Sequence, residues 1–379
     1  MFDYQTLKLI WWVLVGVLLI GFALTDGFDL GAMALLPIVG RTDSERRVVI
    51  NAIAPHWDGN QVWLITAGAG LFAAWPLVYG AAFSGFYWAL LLVLFALFVR
   101  PVGFDYRSKL SNPRWRQGWD WALFVGALVP SLVFGVAFGN LLLGVPFHYD
   151  DTMRVEYTGG FFELLNPFGL LAGVLSVAML LTHGATFIMV KTEAAIAARA
   201  RKIALWGALA TLALFVAAGF WVAQGIDGYS ITDMPSANSA FMPLTKTVEI
   251  VSGAWMDNYN RWPATKAIPV AAIAGLLLVL IFGAWRKARL AFISSGIAVA
   301  GIILTAATAM FPFIMPSSLD PRSSLTIWDS VSSHKTLGIM FWLVLFFVPL
   351  IMMYTAWVYR VMRGKVTLKH IADNEHTAY

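Results

Sequence analysis

Thr25-Asp26-Gly27-Phe28-Asp29 and His56-Trp57-Asp58-Gly59-Asn60-Gln61 set four ionisable side chains inside two apolar runs. Between them lies the short basic loop Gly40-Arg41-Thr42-Asp43-Ser44-Glu45-Arg46-Arg47. If the flanking runs are antiparallel membrane helices, Asp29 and Asp58 come to a similar depth, about 20 Å from the loop centre at ~1.5 Å of rise per residue. An ionisable group at that depth is costly and faces protein, water or a transported charge. The stretch therefore predicts a membrane protein that handles protons or ions.

Composition agrees. The 379 residues are 59% hydrophobic and 12% charged, with a mean hydropathy of +0.73, whereas soluble globules carry about 25% charge. With no cysteine, disulfides, thiolate metal sites and Fe–S ligand sets are excluded. The net charge of +5 is no nucleic-acid signature, because the basic residues fall in loops between apolar runs. Many of the 17 Trp lie near run ends, where aromatic rings favour the membrane–water boundary. The first run is too long for a cleavable signal, and only Lys8, with Asp3, precedes it.

Runs of roughly 20 apolar residues predict nine spans, at 9–36, 50–75, 79–99, 119–144, 162–190, 203–225, 267–284, 290–312 and 336–359, with a tight turn around Pro76–Gly80 dividing the second from the third. Nineteen of the 26 Lys and Arg follow spans 1, 3, 5 and 7 or lie in the C-terminal tail. The other seven are Lys8, Arg154, Lys246, Arg261, Lys266, Arg322 and Lys335. The positive-inside rule then sets the N-terminus outside and the C-terminus inside. The long connections 226–266 and 313–335 are external, and the chain forms one integral membrane domain without internal repeats.

Asp26 and Asp29, three apart, share a helix face, and His56, Asp58, Asn60 and Gln61 cluster in the second span. One polar pocket reached from the cytoplasm is expected, in which carboxylates and an imidazole relay protons. The alternative is that these residues sit near the inner interface or fix a helix hairpin. Asp105 and Asp120 read as paired surface charge, Glu163 with Asn166 as a helix-terminal cluster, and Asp329 as a structural loop residue. Only His56 and His183 offer haem ligands within spans, without the spacing of a two-haem bundle. Ala67-Gly68-Ala69-Gly70 suits close helix packing. A secondary transporter and a purely structural membrane scaffold would also carry intramembrane acids. A transporter usually shows two similar halves, and here the acids are confined to the first two spans.

Longer motifs carry a specific resemblance. Trp11-Trp12, Thr25-Asp26-Gly27-Phe28-Asp29, Ala54-Pro55-His56-Trp57-Asp58-Gly59-Asn60-Gln61-Val62-Trp63, Phe72-Ala73-Ala74-Trp75-Pro76, Arg100-Pro101-Val102-Gly103-Phe104-Asp105-Tyr106-Arg107 and Phe311-Pro312-Phe313-Ile314-Met315-Pro316-Ser317-Ser318 resemble subunit II of the cytochrome bd ubiquinol oxidases, along most of the chain. The resemblance implies an all-α protein of two four-helix bundles plus one peripheral helix. It implies a bacterial inner-membrane complex that oxidises quinol, reduces dioxygen to water and generates proton motive force. Haems b558, b595 and d, and the quinol-oxidising loop, belong by this likeness to the larger partner, subunit I. The present chain supports the haem d environment and a cytoplasmic proton path. Asp58 leads that path, with Asp26, Asp29 and His56 in support, and Trp63 lies near a lipid-facing dioxygen route. A structural quinone and small single-helix accessory subunits fall within the family's range. No catalysis is expected from this chain alone.

Overall fold

Backbone amides inside a bilayer have no water to bond and must close on themselves. The computed structural model describes residues 2–374 and is accordingly dominated by helices. In order these are α1 (Tyr4–Leu24), α2 (Asp26–Ala34), α3 (Leu36–Val39), α4 (Asp43–Ile53), α5 (Trp57–Ala74), α6 (Pro76–Gly85), α7 (Tyr87–Arg107) and α8 (Pro113–Leu143). After them come α9 (Pro167–Lys191), α10 (Ala194–Gly225), α11 (Asp257–Arg261), α12 (Ala267–Ala284), α13 (Ala288–Met310), α14 (His334–Val361) and α15 (Leu368–Asp373). Three antiparallel hairpins occupy the loops: β1 (Phe147–Tyr149) with β2 (Val155–Tyr157), β3 (Asp227–Asp233) with β4 (Thr247–Ser252), and β5 (Phe313–Met315) with β6 (Leu325–Thr326).

Eight stretches among the described residues are long and apolar enough to cross a membrane: Tyr4–Ala34, which takes in α1 and α2, then α7, α8, α9, α10, Pro263–Ala284, α13 and α14. The ninth expected span is missing from that set because α5 opens with Asp58, Asn60 and Gln61. The expected helix over 50–75 is broken. Pro55 has no amide to continue the ladder, and α4 ends at Ile53 in a turn closed by His56 N–H donating to the Ile53 carbonyl at 3.0 Å. The helix expected over 79–99 starts instead at Tyr87. Pro76 opens the short α6, and Phe86, at φ −92° and ψ 19°, interrupts the chain before α7.

α9 is the central element. Of its apolar stretch 72% is buried, against 11% for α14, which lies on the periphery. α9 packs on α2, α8, α10 and α13, and α10 and α13 both pack on α12. Lipid tails are as apolar as leucine, so helices associate here through close packing rather than by escaping water. Gly31 and Gly184 bring α2 and α9 into backbone contact: a methyl at Gly31 would strike the Leu180 carbonyl, and one at Gly184 the Gly31 backbone. The run Ala67–Gly70 packs on α1 through side chains rather than backbone: a methyl on Gly70 would meet Leu18 and Val15 at 3.5 and 3.6 Å, while one on Gly68 meets nothing within 4 Å.

At one end the loops lock together. Lys8, fully buried, donates to the carbonyls of Ala237 (2.9 Å), Ser239 (2.9 Å) and Trp328 (2.7 Å). Lys246 pairs with Asp329 at 2.9 Å with both side chains buried, and Asp329 also accepts from the Thr326 amide and hydroxyl. Burial pushes the Lys246 ammonium below its ordinary pKa against the pull of Asp329. The opposite end is basic. There Asp120 is not paired surface charge: it is buried and accepts from Arg107 (2.5 Å) and Arg46 (2.7 Å), while Arg107 also reaches Asp43 (2.9 Å). Asp105 is exposed.

The glycine contact carries a test. Gly184→Val pushes backbone against backbone and is expected to cost about 3 kcal/mol or more, seen as a lower melting temperature of the purified protein. Gly219→Ala, on an exposed helix face with room for a methyl, is expected to be neutral or to gain about 1 kcal/mol.

Candidate functional site

The site begins where α1 stops. The Thr25 amide and hydroxyl both turn back to the Gly21 carbonyl (3.0 and 2.7 Å). α2 then restarts with Asp26 and Asp29 in its first turn, both completely buried. A helix N-terminus favours negative charge, and each carboxylate has a further partner.

Asp26 is held by Arg100 of α7. The guanidinium donates two hydrogen bonds, Nη1 to Oδ2 at 2.9 Å and Nη2 to Oδ1 at 2.6 Å, and neither side chain is exposed. Such bidentate pairing is among the stronger polar contacts in proteins. The guanidinium lies 5.5 Å from the centre of the Trp57 ring, which itself packs 5.1 Å from Phe104.

Asp29 faces the start of α5. Asn60 Nδ2 donates to Asp29 Oδ2 at 2.7 Å, and His56 Nδ1 stands 3.8 Å from Asp29 Oδ1. Asn60 Oδ1 in turn accepts from the Tyr359 hydroxyl of α14 at 2.6 Å. The Tyr359 ring stacks on His56 at 4.9 Å and 21°, and Phe28 and Phe187 close the other side. Asp29 Oδ1 and His56 Nε2 make no hydrogen bond among the described residues. Buried polar groups with unused capacity are the exception in folded proteins, and a carboxylate beside an imidazole can accept, hold and pass a proton.

The structure thus joins Asp29, His56 and Asn60, and places Asp26 beside them in its own ion pair. It does not bring Asp58 into the pocket: Asp58 lies on the exposed side of the first turn of α5 and makes no ion pair or hydrogen bond among the described residues. Neighbouring positions on a helix point about 100° apart, so His56 and Asn60 turn inward as Asp58 turns out. Trp63 is half-buried, with its ring against Gly21 of α1. The site is also shallower than expected. Arg100 is seven residues, about 10 Å along a helix, from Arg107 in the basic end cluster. The hairpin is therefore folded up by α3 and α4 rather than formed by two straight rods. Sequence reasoning missed Arg100 and Tyr359. Arg100 reads as a loop cation, although a carboxylate buried in hydrocarbon calls for a cation. Nothing around Tyr359 signals its role.

No group of three or more His, Asp or Glu is arranged to hold a metal ion among the described residues. Two histidines, His56 and His183, are the ones expected within spans. His183 uses both ring nitrogens, on Ser295 (2.7 Å) and the Leu24 carbonyl (3.0 Å), and His56 is walled in by Tyr359, Phe28 and Phe187.

Membrane-length helices enclosing carboxylate–arginine and carboxylate–imidazole contacts define a polytopic membrane protein with an ionisable interior. Residues 7–362 match the cytochrome bd terminal oxidase subunit II family, and the chain belongs to it. It is a subunit of a quinol-oxidising oxidoreductase complex. It is 55% identical, over the whole of both chains, to the cytochrome bd-I ubiquinol oxidase subunit 2 of Escherichia coli (strain K12). It is 52% identical, again over both full lengths, to the probable cytochrome oxidase subunit 2 of Haemophilus influenzae. The cytochrome bd ubiquinol oxidase subunit 2 of Bacillus subtilis is 32% identical over 95% of this chain and 97% of that one. A chain in the solved structure of bd oxidase from Geobacillus thermodenitrificans has the same fold, with a TM-score of 0.67 at 14% identity, covering 94% of this chain and 99% of that one.

The Asp26–Arg100 pair should behave as a unit. Removing one partner strands a buried charge, at a cost of about 3–5 kcal/mol. Arg100→Met alone is expected to lose most assembled complex, measured as haem absorbance in purified membranes. Arg100→Met with Asp26→Leu is expected to restore much of it. Equal loss in single and double variants would show that the pair has a role beyond charge balance.

Proposed function

We propose that this chain is the haem-free half of a bd-type quinol oxidase in the bacterial inner membrane. It pairs with a haem-bearing subunit I that oxidises quinol, reduces dioxygen to water and generates proton motive force with haems b558, b595 and d. In this reading α5 is a ninth span, the basic end faces the cytoplasm, and the chain forms two four-helix bundles with α14 outside them. The exposed carboxylate of Asp58 carries the proposal. An unpaired acid on the side of a membrane helix is sustainable only where another protein or water covers it. The same face of α5 and the neighbouring α7 show Ile65, Phe95 and Phe98, each more than half exposed. Subunit I seated there would bury the apolar residues and enclose Asp58.

Protons drawn from the cytoplasm would then pass between Asp58 and the Asp29–His56–Asn60 cluster, while Asp26 stays fixed by Arg100. Asp58, on the exposed side of α5, would be the residue of this path that meets subunit I. Trp63, where α1 meets α5, would border the route of apolar dioxygen. An almost wholly apolar cavity of about 220 Å³ lies among α1, α8, α9, α10 and α13, lined by residues such as Phe22, Phe134, Met179 and Ile302. Its lining suits the prenyl chain of a structural quinone. Small single-helix accessory subunits would have room on the exposed helix faces.

Asp58→Asn keeps shape and removes the proton. Quinol-dependent oxygen consumption is expected to fall roughly tenfold, equivalent to about 1.4 kcal/mol on the limiting step, while the reduced-minus-oxidised haem spectrum is unchanged. Asp29→Asn, which keeps the Asn60 contact, is expected to slow turnover in the same direction. Full turnover in Asp58→Asn would sink the proton-path role.

A further inference from the structure

A cavity of about 1120 Å³ opens at the basic end, among the ends of α9, α10, α13 and α14. Phe28, Phe187, Leu290 and Phe292 form its inner wall. Seven cations surround it: Lys191, Arg201, Arg286, Lys287, Arg289, Arg363 and Lys365, and no Asp or Glu lines it. Lys191 donates to the Met362 carbonyl at 2.7 Å, and Lys287 lies 5.5 Å from the Trp285 ring. The side chains of the other five make no ion pair or hydrogen bond among the described residues, although elsewhere at this end carboxylates pair Arg46, Arg107, Arg116 and Arg199.

Like charges crowded round one cavity repel each other, and an anion relieves this. A small hydrated anion would leave the aromatic wall wet. Both surfaces are satisfied at once by an amphiphile with an anionic phosphate head and an apolar tail. The cations lie at the ends of membrane-length helices, where lipid headgroups sit, and basic pockets between such helices suit anionic headgroups.

We infer that this cavity binds an anionic phospholipid, its phosphate among Arg201, Arg289 and Arg363 and its acyl chain along Phe187 and Phe292. The inner wall connects the lipid to the buried cluster. Phe28 and Phe187 pack on His56, and Tyr359, which lines the cavity, donates to Asn60. α14 buries little of its own surface, so a lipid bridging Arg363 to α10 and α13 braces it and keeps Tyr359 on Asn60.

The test uses the intact complex, stripped of lipid and titrated while its thermal unfolding is followed. The probes are phosphatidylglycerol, phosphatidylcholine and inorganic phosphate. Phosphatidylglycerol alone is expected to raise the unfolding temperature. The variant Arg201→Gln/Arg289→Gln/Arg363→Gln is expected to need about 100-fold more of it, three basic side chains having been removed. A control neutralising exposed cations at the same end, Arg41→Gln/Lys109→Gln/Arg114→Gln, is expected to respond as the unaltered protein does. Should the triple variant fail to assemble, Arg289→Gln alone decides, with affinity expected to fall about fivefold. Equal stabilisation by phosphatidylcholine, a full response to inorganic phosphate, or an unshifted titration in the variants would each overturn the site. None of these readouts depends on turnover, so they stand apart from the proton path.

Discussion

A charge in hydrocarbon has to be paired, and in this chain one pair sets the geometry of its surroundings. Asp26 sits at the restart of an interrupted helix, and Arg100 reaches it from α7 with two hydrogen bonds. The guanidinium faces Trp57, and Trp57 packs on Phe104 of the same helix as Arg100. Trp57 is the first residue of α5, so the ion pair also locates the turn that bears His56 and Asn60. Those two residues meet Asp29 because Asp29 is one helical turn beyond Asp26. The fixed pair and the cluster with unused hydrogen-bonding capacity are therefore parts of one construction. One holds position, and the other keeps protonatable atoms available.

Packing provides the second support. Helices in lipid gain little from hiding apolar surface, so close contact has to hold them. Gly31 and Gly184 allow α2 to lie directly on α9, the most buried helix. Each end is then closed differently. At one, hairpins and loops are tied by buried Lys8 and by Lys246 with Asp329. At the other, arginines and carboxylates from α4, α7 and α8 form a network around Asp120.

The class of fold was legible because helix length and hydropathy follow directly from bilayer thickness and the absence of water. The intramembrane acids were legible for the same reason, since Asp26, Asp29 and Asp58 interrupt long apolar runs. Their partners were not. Arg100 follows an apolar run and looks like the start of a cytoplasmic loop, yet it is fully buried. Tyr359 lies 299 residues from Asn60, a separation no local pattern spans. Rotation about a helix axis was equally hidden: His56 and Asp58 are two positions apart, but one faces inward and the other outward. Pro55 did signal a break, and the apolar residues on either side of it concealed that signal. The burial of Asp120 depended on two arginines, Arg46 and Arg107, converging from different elements, which charge counting reads as surface.

The contact between Tyr359 and Asn60 also has a consequence in time. A ribosome releases α2 and α5 early and α14 last among the membrane-length helices. The Asp29–His56–Asn60 cluster therefore waits in a nascent chain without its final hydrogen-bond donor until nearly all of the protein has been made. A chain cut short before α14 would retain every acid of the cluster, yet leave the Asn60 carbonyl unmatched in an apolar setting. The last helix thus serves as a completion mark: quality control that senses exposed polarity within the membrane could distinguish finished from unfinished copies at this one contact.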